Sequence, residues 1–188
     1  MAGKIILKVF LVIVIIIVVF AIIMFISAKT LLKAHHGDKA EVLKADVEKP
    51  QKALVIYQPS KTSASSDVAH AIAEGLHDSG YEVTLNHPGD FLSSDISGYS
   101  VVVFGAPVYG SMTADVLTEY MQRIGDFSDK KVILFFTAGS IDDGPEMGKL
   151  EALLHGTEPF ASVKFKFTDG EANKQKAYQL GLDAAGED

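Results

Sequence analysis

From Phe10 to Ile26 every residue is apolar, and only Lys8 interrupts a longer run that begins at Ile5. A helix rising about 1.5 Å per residue needs roughly 20 such residues to cross the hydrocarbon core of a bilayer. Ile5 to Ala28 supplies that length, with Lys8 close enough to the end to snorkel to the interface. The run is apolar on all its faces, and the rest of the 188-residue chain is too small to wrap it as a core helix. A cleaved signal peptide has a shorter apolar stretch, about 7–15 residues, followed by a small-x-small site. Here Ile26-Ser27-Ala28 opens with a bulky residue. The chain therefore divides into a tail and transmembrane helix over 1–28, a charged juxtamembrane linker over 29–52, and one domain over 53–188. The expected location is a cell membrane, crossed once.

Lys4, Lys8 and the amino terminus lie before the span, and Lys29, Lys33, Lys39 and Lys44 lie after it. The positive-inside rule thus leans toward a cytoplasmic C-terminal domain. Beyond Lys52 there are nine basic and 20 acidic residues, a balance near −11, while residues 1–52 hold eight basic and four acidic ones. A domain so acidic is repelled by nucleic acid and by anionic lipid, and attracts partners with basic docking patches. There is no cysteine, which excludes disulfides, thiolate metal sites and a cysteine nucleophile. The linker carries His35-His36-Gly37 and ends at Pro50. Two adjacent histidines without further ligands read as solvated side chains, since a closed metal site wants four donors.

After the linker, strand and helix patterns alternate. Continuous apolar runs at 53–57, 101–104 and 132–136 read as the first, third and fourth strands of a sheet covered on both faces. Tyr81 to Leu85 and Val163 to Phe167 alternate polar with apolar residues and read as the second and fifth strands. Alternation with charge on one side marks half-exposed edges. Helical spacing covers 67–79, 114–124, 146–155 and 171–185, with at most a short helix in the Pro/Gly/Asp/Ser stretch after the second strand. Such alternation builds βαβ units. The expectation is a doubly wound five-stranded parallel sheet in which the second and fifth strands are the edges, an arrangement the order 2-1-3-4-5 requires.

Ligands of a doubly wound sheet sit beyond the carboxyl ends of its strands, where the order reverses. After the first strand comes Gln58-Pro59-Ser60-Lys61-Thr62-Ser63-Ala64-Ser65-Ser66, with five hydroxyl side chains ahead of a helix. A helix N-terminus favours an anion, and hydroxyls donate to phosphate oxygens without adding charge. A simple N-cap accounts for one or two hydroxyls, not five. The Gly-x-x-x-x-Gly-Lys-Ser/Thr pattern of a P-loop is absent. After the third strand comes Gly105-Ala106-Pro107-Val108-Tyr109-Gly110-Ser111-Met112, and after the fourth Thr137-Ala138-Gly139-Ser140.

Ser60-Lys61-Thr62-Ser63-Ala64-Ser65 resembles the phosphate loop of flavodoxins, Ser/Thr-x-Thr-Gly-Asn-Thr. Ser60, Thr62 and Ser65 fall on its hydroxyl positions, and Ser63 and Ala64 replace the usual Gly and Asn. The segment from Gly105 resembles the loop of that family that runs under the flavin ring. The resemblance implies that Tyr109 stacks on the isoalloxazine, that backbone around Val108 to Ser111, Gly110 included, meets its edge, and that Ala106 and Pro107 belong to the same cofactor-binding loop. Thr137, Ala138, Gly139 and Ser140 match the third loop, where small residues let backbone approach the ring. Many flavodoxins carry a second aromatic just beyond; here Ile141-Asp142-Asp143-Gly144 follows. The resemblance spans about 53–185 and implies FMN as cofactor, no metal and no catalytic side chain.

Three functional readings stay open. The first is a membrane-anchored FMN electron carrier, whose acidic surface disfavours an anionic reduced flavin. The second is an FMN-dependent NAD(P)H or quinone oxidoreductase of the same fold, with room over the ring for a substrate. The third is a flavin-free interaction module, motivated by Ser63 and Ala64. His70 and Glu74, four apart on a helix, read as a surface pair. Asp142-Asp143 reads as a solvated loop, and no Gly-x-Ser-x-Gly elbow is present.

Overall fold

The computed structural model describes residues 2–142 and 144–186. It opens with one helix, α1 (Ala2–Leu32), whose side chains from residue 4 to residue 27 are all exposed. By length and composition this helix is able to cross a membrane. It runs four residues past Ala28, and its last residue, Leu32, is 2 % exposed because it is inserted into the core of the domain.

The domain consists of β1 (Glu41–Leu43), β2 (Lys52–Tyr57), α2 (Ala64–Asp78), β3 (Glu82–Asn86), β4 (Val101–Pro107), α3 (Asp115–Arg123), β5 (Lys131–Ala138), α4 (Pro145–Glu151), β6 (Ala161–Lys166) and α5 (Gly170–Gly186). The sheet order is β1-β3-β2-β4-β5-β6. Strands β2 to β6 are parallel and reproduce the expected order, with the reversal between β2 and β4. All of β4, and β2 beyond Lys52, are buried, as continuously apolar strands must be. No helix forms between β3 and β4.

A sixth strand adds to the five expected ones. The linker lays β1 antiparallel on β3, pairing Glu41 with Leu85 and Leu43 with Val83, so β3 is not an edge. Asn86 fixes the register: its Oδ1 accepts from Lys39 N at 2.9 Å and its Nδ2 donates to Asp38 Oδ1 at 2.9 Å. His70 reaches Glu41 Oε2 on this strand, 3.2 Å from its Nε2.

Alternation along the strands separates two cores. One face presents Val55, Val103, Ile133 and Phe135 to α2 and α5; the other presents Ile56, Phe104, Leu134 and Phe136 to α3, α4 and Leu32. Helices α2 and α5 cross at Gly75 and Gly181, where a Cβ on either would run into the backbone of the other helix. This close approach holds α2, and with it the loop that leads into α2.

Candidate functional site

The loops after β2, β4 and β5 meet at the carboxyl edge of the sheet. In the first, Ser60 Oγ donates to Thr62 O at 2.6 Å and accepts from Ser65 N at 3.2 Å, while Thr62 Oγ1 lies 3.4 Å from Ala64 N. The first N–H groups of α2 are thus held by two neutral hydroxyl oxygens at long distances. An anionic oxygen placed there would gain the helix dipole as well as the hydrogen bonds. Ser63 donates instead to Asp67 Oδ2 at 2.8 Å. Ser65 is fully buried, its Oγ 2.7 Å from Thr137 Oγ1 on β5. It joins the first loop to the third rather than facing outward. Lys61 is exposed, and Ala64 begins the helix.

The second loop is a tight hairpin. Tyr109 and Met112 exchange backbone hydrogen bonds at 3.1 and 3.2 Å across Gly110 and Ser111, whose φ values are 58° and 61°. Two successive left-handed residues are what a two-residue type I′ turn demands. Ala106 and Pro107 end the buried strand, and Val108 N donates to Thr137 O at 2.8 Å. The hairpin sends Tyr109 across the site: its Oη accepts from Lys61 N at 3.0 Å. Its ring lies 6.0 Å from that of Phe167, at an angle of 25°.

Phe167 is a residue of this region for which the sequence pointed to no role. It follows β6, and its N–H donates to Ala138 O at 2.8 Å, which brings it over the third loop. An aromatic side chain thus stands beside Tyr109 from the end of the next strand. In the third loop Gly139 and Ser140 are exposed, and Ser140 Oγ donates to Asp142 Oδ2 at 2.6 Å. Asp143 lies outside the described residues. The loop is pinned from below by Lys164, which donates to Asp142 O and, at 2.6 Å, to Glu146 Oε1. Burial pushes the Glu146 carboxyl up, but the hydrogen bond and charge of Lys164 and a backbone N–H outweigh it and hold the group below its ordinary 4.5.

A planar ring between two aromatic faces needs about 7 Å, two contacts of about 3.5 Å. The 6.0 Å between Tyr109 and Phe167 leaves no such gap. Rotation of Tyr109, at the cost of one hydrogen bond to Lys61, would open it. Hydroxyl loop, hairpin aromatic and small-residue loop together present the groups a phosphorylated planar ligand would use, once Tyr109 is rotated aside. A small cavity of about 110 Å³ already lies beside the loop, between Thr62, Asp67 and Phe167.

No family model matches the sequence, and no curated protein matches it. Solved structures do. Two-electron reduced flavodoxin from Megasphaera elsdenii is 21 % identical, with a TM-score of 0.59 over 73 % of this chain and 100 % of that one. Oxidised flavodoxin 2 from Bacillus cereus is 16 % identical, with a TM-score of 0.56 over 71 % of this chain and 97 % of that one. The Flv1 flavodiiron core from Synechocystis sp. PCC6803 is 19 % identical, with a TM-score of 0.61 over 72 % of this chain; the match spans only 35 % of that longer chain. At these identities the likeness shows the fold, which is flavodoxin-like.

Proposed function

We propose that this chain is a membrane-anchored FMN-binding electron-transfer protein. The observation that carries the reading is the meeting of the hydroxyl loop and the aromatic hairpin at the sheet's switch point, joined through the Lys61–Tyr109 hydrogen bond. Ser60 and Thr62, with the first N–H groups of α2, hold the phosphate. Ala64 keeps that loop narrow, Ser63 orients Asp67, and Ser65 with Thr137 fixes the loop's distance from β5. Tyr109 and Phe167 flank the ring, and the exposed backbone at Gly110, Gly139 and Ser140 lines its edge. Ala106, Pro107, Val108 and Ala138 form the buried floor beneath. When bound, the flavin supplies the redox chemistry; the protein positions it and excludes water from its faces. Helix α1 crosses the bilayer through residues 5–28, and partner proteins with basic patches dock on the acidic domain.

The oxidoreductase reading draws on one observation, the small residues and open backbone at Gly139 and Ser140, which leave an approach to the ring for a quinone or NAD(P)H. The test is an FMN titration of the detergent-solubilised full chain, read by quenching of flavin fluorescence and followed by a potentiometric titration. Binding with two separated one-electron waves supports the carrier. A single two-electron wave with turnover by NAD(P)H or a quinone analogue favours the enzyme. No binding at micromolar FMN would leave the flavin-free module.

A further inference from the structure

The last turn of α1 leaves a cavity of about 520 Å³ where it meets α3 and α4, with no residue of the hydroxyl loop among its walls. Leu32 and Leu153 are apolar walls, and Lys29, Lys33 and Lys149 supply cations. Asp115 balances one of these, sitting 3.6 Å from Lys33 Nζ. Lys29 also lies over the Phe25 ring at 4.8 Å, with its ammonium still available to a ligand. Two positive charges thus stand in excess in a domain that is otherwise strongly acidic.

Depth in the membrane identifies the occupant. The apolar run ends at Ile26, and Lys29 to Leu32 lie three to six residues further, about 5–9 Å along the helix. The headgroup layer outside the hydrocarbon core is about 5–7 Å thick on each side. The cavity therefore opens in that layer, with apolar walls that a free phosphate would not use.

We propose that this cavity binds one anionic phospholipid, its phosphate between Lys29 and Lys149 and the start of an acyl chain along Leu32 and Leu153. The proposal rests on the membrane reading of α1 but not on FMN. The bound lipid would hold the domain against the membrane despite its overall negative charge. The carboxyl edge of the sheet is part of this contact, because Gln58 Nε2 donates to Ala34 O at 2.9 Å just beyond α1, and Met112 of the aromatic hairpin also lines the cavity.

The test is native mass spectrometry of the full chain released from nanodiscs containing equal amounts of phosphatidylglycerol and phosphatidylcholine. The expected result is retention of one phosphatidylglycerol in preference to phosphatidylcholine. Lys149→Gln should reduce that retention about fivefold, the usual worth of one lysine at an anionic surface. Lys174→Gln, an equal charge change on α5, should leave it unchanged. Equal retention of both lipids, or equal loss in both variants, would overturn the assignment, as would full displacement by millimolar inorganic phosphate. FMN titration of the same samples separates the two readings. Lipid selectivity without FMN binding sinks only the cofactor, and FMN binding without lipid selectivity sinks only the cavity. A chain that alkaline carbonate strips from membranes would remove the premise.

Discussion

Tyr109 is held twice, by its hydroxyl on Lys61 N and by its ring against Phe167. If its rotation admits the flavin, that hydroxyl bond opposes binding. Tyr109→Phe removes the bond and keeps the aromatic face, so FMN affinity should rise about two- to tenfold, the equivalent of one ordinary hydrogen bond. Tyr109→Ala should lower it, since stacking is lost. Fluorescence titration distinguishes these outcomes, and weaker binding by Tyr109→Phe would show that the observed rotamer is not an obstacle. Glu146 poses a different question. Its side chain is 3 % exposed and that of Lys164 5 %, so Glu146→Gln leaves a buried cation without its carboxylate. A loss of about 3 kcal/mol is expected in denaturant midpoints near neutrality. Because the folded carboxyl sits below its ordinary 4.5, its contribution is complete above that value and fades as pH falls through the lower folded one. Wild type and variant should therefore converge under acid conditions.

Helices and strands differ in how clearly they were written in the chain. β2, β4 and β5 announce themselves as unbroken apolar runs because both of their faces are covered. β1 does not. Three residues carry no periodicity, and they form a strand only because β3 offers an open edge and Asn86 a pair of hydrogen bonds. The site shows the same division. Its hydroxyl and tyrosine loops are contiguous in sequence and could be read there. Phe167 joins from a neighbouring strand end, which no local motif reveals. Ser65 sits among hydroxyls that look alike in the sequence, yet the phase of α2 puts it on the buried side with Val68, Ala69 and Ile72. The contact between α2 and α5 gives a prediction at this scale. Gly181→Ala drives a methyl into the Ile72 carbonyl, and should cost about 1–3 kcal/mol. Gly98→Ala, with open space around it, should cost little. Matched urea melts would test the pair.

For the molecule as a whole, the junction between helix and domain is where its two parts meet. His36 and His87 meet edge to face there, 5.6 Å between ring centres. Burial lowers both, followed by the charge of His35 on the first and of His36 on the second; Lys39 adds to the lowering of His87, while the His36 and Gly37 carbonyls oppose it. With folded values below the ordinary 6.5, the neutral pair stabilises the junction fully above that pH, and the benefit shrinks as acid protonates the unfolded form first. Proteolysis within 35–40 should accelerate below pH 6.5 in the wild type and lose that dependence in a His36→Phe, His87→Phe double variant. Unchanged cleavage across that range would remove the histidines from any role in holding the linker.

Leu32 belongs at once to α1 and to the core of the domain. A soluble carrier tumbles, and most of its collisions fail because the wrong face arrives first. If α1 is embedded in a bilayer, a domain that shares its last turn cannot tumble on its own. If the chain is the membrane-bound carrier proposed above, each encounter with another such carrier begins with nearly the same side forward, so the geometry of recognition is settled by covalent structure before the two meet, and what remains of the search is drift across a plane.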